Sequence, residues 1–211
     1  MKNLTDITII LDRSGSMESI KSATIEGFNS FLKDQKGDEL KSLVSFVQFD
    51  DVYEIVYEGK DMDKVQYLNL DAFQPRGLTA LLDAIGTTIN ATKKRIKQIP
   101  KKERPENVLV AIITDGMENA STKYTRSEIF KKIRKREEKN GWKFIFIAAN
   151  QDAIYEASKF GIKREQALQF SADKDGMKDA MYSLSKKMYD MKREQNKSFL
   201  FDEEDRKKQE R

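Results

Sequence analysis

The chain has 211 residues, 35% of them charged and 38% hydrophobic, with Lys plus Arg outnumbering Asp plus Glu by 39 to 35. That length suits one compact domain, and a formal charge of +4 is too small to demand nucleic acid or a membrane by itself. With no Cys and no His, the chain can form no disulfide scaffold, thiolate or imidazole zinc site, Cys nucleophile or Ser-His-Asp triad, so any metal must be held by oxygen.

The predicted elements alternate between strand and helix. Leu4 to Leu11 is apolar and β-branched, a strand ending at Asp12. From Ser19 the period changes, with Ile20, Thr24, Phe28, Phe31 and Leu32 at helical spacing. Leu43 to Phe49 is a second strand, and the turn at Asp50 and Asp51 leads straight into a third, Val52 to Tyr57. So short a link requires an antiparallel pair, which puts the third strand at a sheet edge. Asp71 to Thr79, with Pro75 and Gly77, reads as a loop.

Leu78, Leu82, Ile85, Ile89 and Ile96 then mark a helix, and Pro100 and Pro105 close the linker after it. Val108 to Thr114 is nearly continuous apolar sequence, as a parallel strand buried on both faces should be. Thr125 and Glu128 form a capping-box pattern opening a helix with Ile129, Phe130 and Ile133 inside. Lys143 to Ala149 is a further buried strand, followed by a short helix over Asp152 to Phe160 and a brief strand at Leu168 to Phe170. Met177, Met181, Leu184, Met188 and Met191 share one face of the last helix, with the spacing of core residues.

This order predicts an α/β fold: a doubly wound, mostly parallel sheet with one antiparallel edge strand and helices on both faces. Residues 1–197 read as one domain and 198–211 as a charged C-terminal tail, of which Phe201 to Arg211, dense in charge of both signs, frays or extends the last helix. The longest wholly apolar run, Val108 to Ile113, is too short to span a membrane. Asp6 and Asp12 interrupt the first apolar stretch, which does not read as a secretory signal. A cytoplasmic protein with no membrane partner is expected.

Ligands of open α/β sheets sit beyond the carboxyl ends of the strands, and two central strands here end in carboxylates, Asp12 and Asp115. Side by side and bare, they would raise each other's pKa; a divalent cation between them removes that cost. The loop from Asp12 to Ser16 adds hydroxyls at Ser14 and Ser16 with Gly15 between them, so one carboxylate and two hydroxyls supply half of an octahedral oxygen shell.

LDRSGSM after the first strand, GLTAL near the middle and ITDG after a central strand resemble, in that order, the von Willebrand factor A domain family with its metal-ion-dependent adhesion site (MIDAS). The resemblance runs from Leu4 to about Met191 and fills all five motif positions. It implies that Ser14 and Ser16 ligate a metal through their hydroxyls, and that Asp12 acts mainly through water and orienting hydrogen bonds. Thr79 and Asp115 would bind directly or through water, and a partner's Asp or Glu would complete the shell. The implied ion is Mg²⁺, with Mn²⁺ or Ca²⁺ as alternatives, and the implied role is non-enzymatic protein binding. Bacterial stress and phage-encoded systems are among the family's settings.

Plainer readings accompany these residues. Ser14, Ser16 and Thr79 are also natural helix caps, and Glu118, Asn119, Asn150 and Asp152 read as loop-solvating or capping groups. The alternatives in function are a phosphoryl-transfer hydrolase with Asp12 as nucleophile and a nucleic-acid-associated protein. The hydrolase pattern wants a second Asp two residues on, where this chain has Ser14. The basic runs at Lys93 to Arg104 and Lys131 to Lys139 carry no recognition motif, and read as solvated helix ends rather than nucleic-acid contacts.

Overall fold

A computed structural model describes residues 4–149, 152–193 and 199–209. In chain order the main elements are β1 (Thr5–Asp12), α1 (Lys21–Gln35), β2 (Ser42–Phe49), β3 (Tyr53–Asp61), α2 (Leu81–Gln98) and β4 (Asn107–Thr114). They continue with α3 (Arg126–Asn140), β5 (Lys143–Ala149), α4 (Ala153–Lys159), β6 (Ala167–Phe170), α5 (Lys174–Arg193) and α6 (Glu203–Lys207). A 3₁₀ turn, Gly15–Ile20, joins the first loop to α1.

The strands form one sheet in the order β3-β2-β1-β4-β5-β6. All pairs are parallel except β2 with β3, so β3 is the antiparallel edge strand that the short link, Asp50 to Val52, requires. From β1 the chain steps first to β2 on one side and later, through α2, to β4 on the other. The loops leaving β1 and β4 therefore diverge from neighbouring strand ends, the crevice where such sheets bind ligands. In register, Leu11 lies opposite Ile113, which brings Asp12 beside Thr114 and one residue from Asp115.

Alternation along the central strands divides the core in two. Ile7, Ile9 and Leu11 face one side, against Phe28, Phe31 and Leu32 of α1 and Met177, Met181 and Leu184 of α5. Ile10, Val110 and Ile112 face the other, against Ile85 and Ile89 of α2 and Ile129 and Ile133 of α3. The methionine stripe of α5 is buried core, and α1 meets it closely enough that a Cβ on Gly27 would lie 3.0 Å from Met181. Thr125 and Glu128 form the capping box of α3, and Gly141 ends that helix in the left-handed region at φ 65°.

Two side chains depart from the pattern read in the sequence. Leu78, placed there on the α2 stripe, lies before the helix begins and is 56% exposed. Phe130, placed inside α3, is 42% exposed because only Ile129 and Ile133 of that helix face the sheet. The described part of the tail neither frays nor extends α5. Phe199 and Phe201 are buried edge to face in the α1–α5 side of the core, the Phe201 amide donates to the Glu165 carbonyl, and α6 follows. Among the described residues no helix is long and apolar enough to cross a membrane.

Candidate metal centre

The structure brings Asp12, Ser14, Ser16, Thr79 and Asp115 together at the carboxyl end of the sheet. Asp12 closes β1 and is fully buried. One of its oxygens accepts the Ser14 amide at 2.6 Å and the other accepts the Thr114 hydroxyl at 2.5 Å, which ties the first loop to the end of β4. The Ser14 and Ser16 hydroxyls stand 3.1 Å apart, and Ser16 donates to Asp115 at 2.6 Å across the two loops.

Thr79 arrives from the long loop before α2. That loop is fastened to the first one where the Gly15 amide donates to the Gly77 carbonyl and the Arg76 amide to the Arg13 carbonyl. Gly77 adopts φ 66° there, and a Cβ on it would collide with the Asp51 carboxylate. On its other flank, the Thr79 amide donates to the Asn119 side chain at 2.8 Å and its carbonyl accepts the Asn119 amide.

Gly116 shows that the three hydroxyls converge. A Cβ built on it would stand 2.9 Å from the Thr79 hydroxyl and 3.4 Å from each of the Ser14 and Ser16 hydroxyls. Three oxygens from two separate loops thus surround one small space at the head of the β4 loop, and the absence of a side chain at Gly116 keeps it open.

None of these hydroxyls is occupied by capping. Ser14 precedes the 3₁₀ turn and makes no side-chain cap bond, and α2 takes Ala80, not Thr79, as its N-cap. Glu118 and Asp152 do serve the local backbone: Glu118 accepts amides of Ala120, Ser121 and Leu82, and Asp152 caps α4. Asn150 lies outside the described residues. Sequence reasoning missed Thr114, Gly116 and the positioning role of Asn119. The Gly after ITD was the available signal for the second of these.

Burial pushes the Asp12 carboxyl up to about 6, against the Thr114 and Ser14 hydrogen bonds, and the Asp115 charge adds to the rise. Burial likewise raises Asp115, with the Ser16 hydroxyl opposing it. The neighbouring guanidiniums are committed elsewhere, Arg13 to Asp50 and Glu54, and Arg76 to Asp50. Among the described residues no group of three or more acidic side chains gathers to hold a metal. Two carboxylates and three neutral hydroxyls form a hard-oxygen donor set of the kind that suits Mg²⁺, Mn²⁺ or Ca²⁺.

The family model for the von Willebrand factor type A domain matches residues 6–187. The chain belongs to the von Willebrand factor type A domain family. No curated protein matches it, but solved structures share the fold. Proximal thread matrix protein 1 from the mussel byssus, solved with a zinc-occupied MIDAS motif, is 17% identical with a TM-score of 0.58, over 86% of this chain and 45% of that one. A von Willebrand factor type A protein from Catenulispora acidiphila is 14% identical with a TM-score of 0.56, over 87% of this chain and 42% of that one. The chain thus spans less than half the length of either neighbour. The likeness to these structures is one of fold, and the mussel protein holds zinc at its own MIDAS motif.

Proposed function

We propose that this von Willebrand factor type A domain is a non-enzymatic module that binds a protein partner through a divalent cation. Mg²⁺ is the favoured ion, Asp12, Ser14, Ser16, Thr79 and Asp115 are the metal-binding residues, and an Asp or Glu of the partner completes the shell. One observation carries the reading: three hydroxyls from separate loops face a single space that Gly116 leaves open, beside two buried carboxylates. The Ser16 hydroxyl donates its hydrogen to Asp115, and with one lone pair facing the Ser14 hydroxyl it has the other to offer a cation. Asp12 fixes the Ser14 backbone and the Thr114 hydroxyl and thereby sets the loop geometry.

Bound there, a divalent ion would supply positive charge that neutral hydroxyl donors leave partly uncompensated, and an incoming carboxylate would be drawn to it. The hydrolase alternative fares worse. Asp12 is fully buried with both oxygens engaged, a poor posture for a nucleophile, and Ser14 occupies the place where a general acid would be needed.

Thermal unfolding with and without Mg²⁺ tests the reading, because an ion that binds only the folded state raises the melting temperature. At about 100 times the dissociation constant the gain is about 2.7 kcal/mol. The rise should vanish in the paired variant Ser14→Ala, Ser16→Ala, whose metal-free melting should stay near that of the parent. An equal rise in parent and variant would remove the site.

A further inference from the structure

The two basic runs lie far apart in the sequence, but the fold joins them. α2 and α3 pack side by side. Lys132 of α3 donates to Asn90 of α2 at 3.2 Å, and Asn90 in turn donates to the Tyr124 hydroxyl. Lys93 and Lys97 lie one helical turn apart on α2, and Lys132 and Arg136 one turn apart on α3, with Lys135 beside them.

The Lys93 ammonium is held below its ordinary value by the charge of Arg136 and then of Lys97, with Lys135 and Lys132 adding to it. Among the described residues none of these five cations forms an ion pair. Glu128, at the α3 cap, accepts the Thr125 amide and hydroxyl, and those bonds, then the charges of Lys132 and Lys131, hold its carboxyl below its ordinary value. The carboxylates further along α3 lie on its other side, where Arg134 takes Glu137 and Glu138. Lys101 and Lys102, just beyond α2, are exposed and extend the positive surface. Five like charges gathered with no carboxylate in an ion pair to any of them oppose one another, so the arrangement lowers stability rather than raising it.

We propose that this two-helix face binds the phosphate backbone of nucleic acid without regard to base sequence. Lys is depleted at protein–protein interfaces, whereas phosphate contacts are made chiefly by Lys and Arg. The cations stand about 6 Å apart along each helix, on axes about 8–10 Å apart, a charge density suited to a polyanion. Trp142 is buried beneath Arg136, so the face carries charge without that ring as a stacking platform, which favours backbone contact over base readout. Lys93 and Lys97 sit about 18 Å and about 24 Å along α2 from its start at Leu81, at 1.5 Å per residue, so this site is separate from the candidate metal centre.

Fluorescence anisotropy of a labelled duplex of arbitrary sequence, measured across a salt series in the presence of a chelator, tests the proposal apart from any metal. The parent should bind at about 50 mM salt and lose affinity steeply by about 200 mM. The variant Lys93→Gln, Lys97→Gln, Lys135→Gln should bind at least about tenfold more weakly at low salt, with the salt slope reduced by about 0.9 for each phosphate left without its cation. A control that removes the same charge from α1 and α5, Lys33→Gln, Lys178→Gln, Lys186→Gln, should bind like the parent. The proposal fails if the parent does not bind at low salt, or if the control weakens binding as much as the α2–α3 variant. It fails equally if poly-glutamate of matched charge displaces the duplex as well as unlabelled duplex does. The control should melt like the parent and the α2–α3 variant no lower, since none of these lysines is buried and the variant relieves repulsion.

Discussion

Asp12 shows how a single buried group can be unfavourable in the metal-free fold and still be required. Its carboxyl, lifted to about 6 by burial, binds a proton more tightly folded than unfolded, where the ordinary value is 3.8. A raised folded pKa contributes stability that is complete below 3.8 and is lost as pH rises through about 6. Metal-free protein should therefore carry an uncompensated charge at pH 8, and Asp12→Asn should melt no lower than the parent there while losing its response to Mg²⁺. A variant that melted lower yet still responded would contradict this role. Gly116 makes the complementary case by what it lacks. Gly116→Val should weaken metal binding by at least about tenfold, read by calorimetric titration, because the new side chain would enter the space shared by the Thr79, Ser14 and Ser16 hydroxyls. Asp12, Ser14, Ser16, Thr79 and Asp115 were legible in the sequence because they stand at strand ends and in one short motif. Thr114 and Asn119 were not, since a strand Thr and a loop Asn are ordinary until the fold sets one against Asp12 and the other against the Thr79 amide.

Among the elements, α1 and α5 are the pair whose packing is most tightly specified. Leu184 is fully buried between them and the sheet, so Leu184→Ala should cost about 2–5 kcal/mol in denaturant unfolding, the range for emptying a packed core site. Polar groups clamp the far end of this pair. Lys192 donates to Gln35 at 2.9 Å, and Arg193 donates to Asp38 at 2.7 Å. Burial opposes ionisation of Asp38, but the Arg193 guanidinium, the Leu40 amide and the Lys192 ammonium overcome it and hold the carboxyl at about 2. A depressed folded pKa gives stability that is present above 3.8 and lost as pH falls toward 2. Between pH 5 and pH 2 the parent should thus lose more unfolding free energy than Asp38→Asn, and equal losses would show that the clamp adds nothing. The helices themselves were readable because their apolar stripes are long and regular. Leu78 and Phe130 misled because an apolar residue beside a stripe resembles one within it, and only the direction of the neighbouring chain separates the two.

For the whole molecule, the strand order follows from local signals. A three-residue link forces β3 to the edge, and a nearly unbroken apolar run marks β4 as central. The C-terminal segment was less visible, since Phe199, Leu200 and Phe201 form too short a run amid charge to show any period. In the fold both rings are buried, and Lys187 of α5 pairs with Asp202 and Asp205. Removal of residues 199–211 should therefore lower unfolding stability by about 1.5–3 kcal/mol for each ring exposed, a loss that a dispensable tail would not produce. At this scale the return of the chain from β3 through α2 to β4, on the other side of β1, is what assembles the candidate centre, by bringing loops distant in sequence to one end of the sheet. Its most direct test is anomalous diffraction from crystals soaked in Mn²⁺. The account predicts one strong peak in contact with the Ser14 and Ser16 hydroxyls, beside Thr79 and Asp115, and a peak lying elsewhere, or none at saturating Mn²⁺, would contradict it.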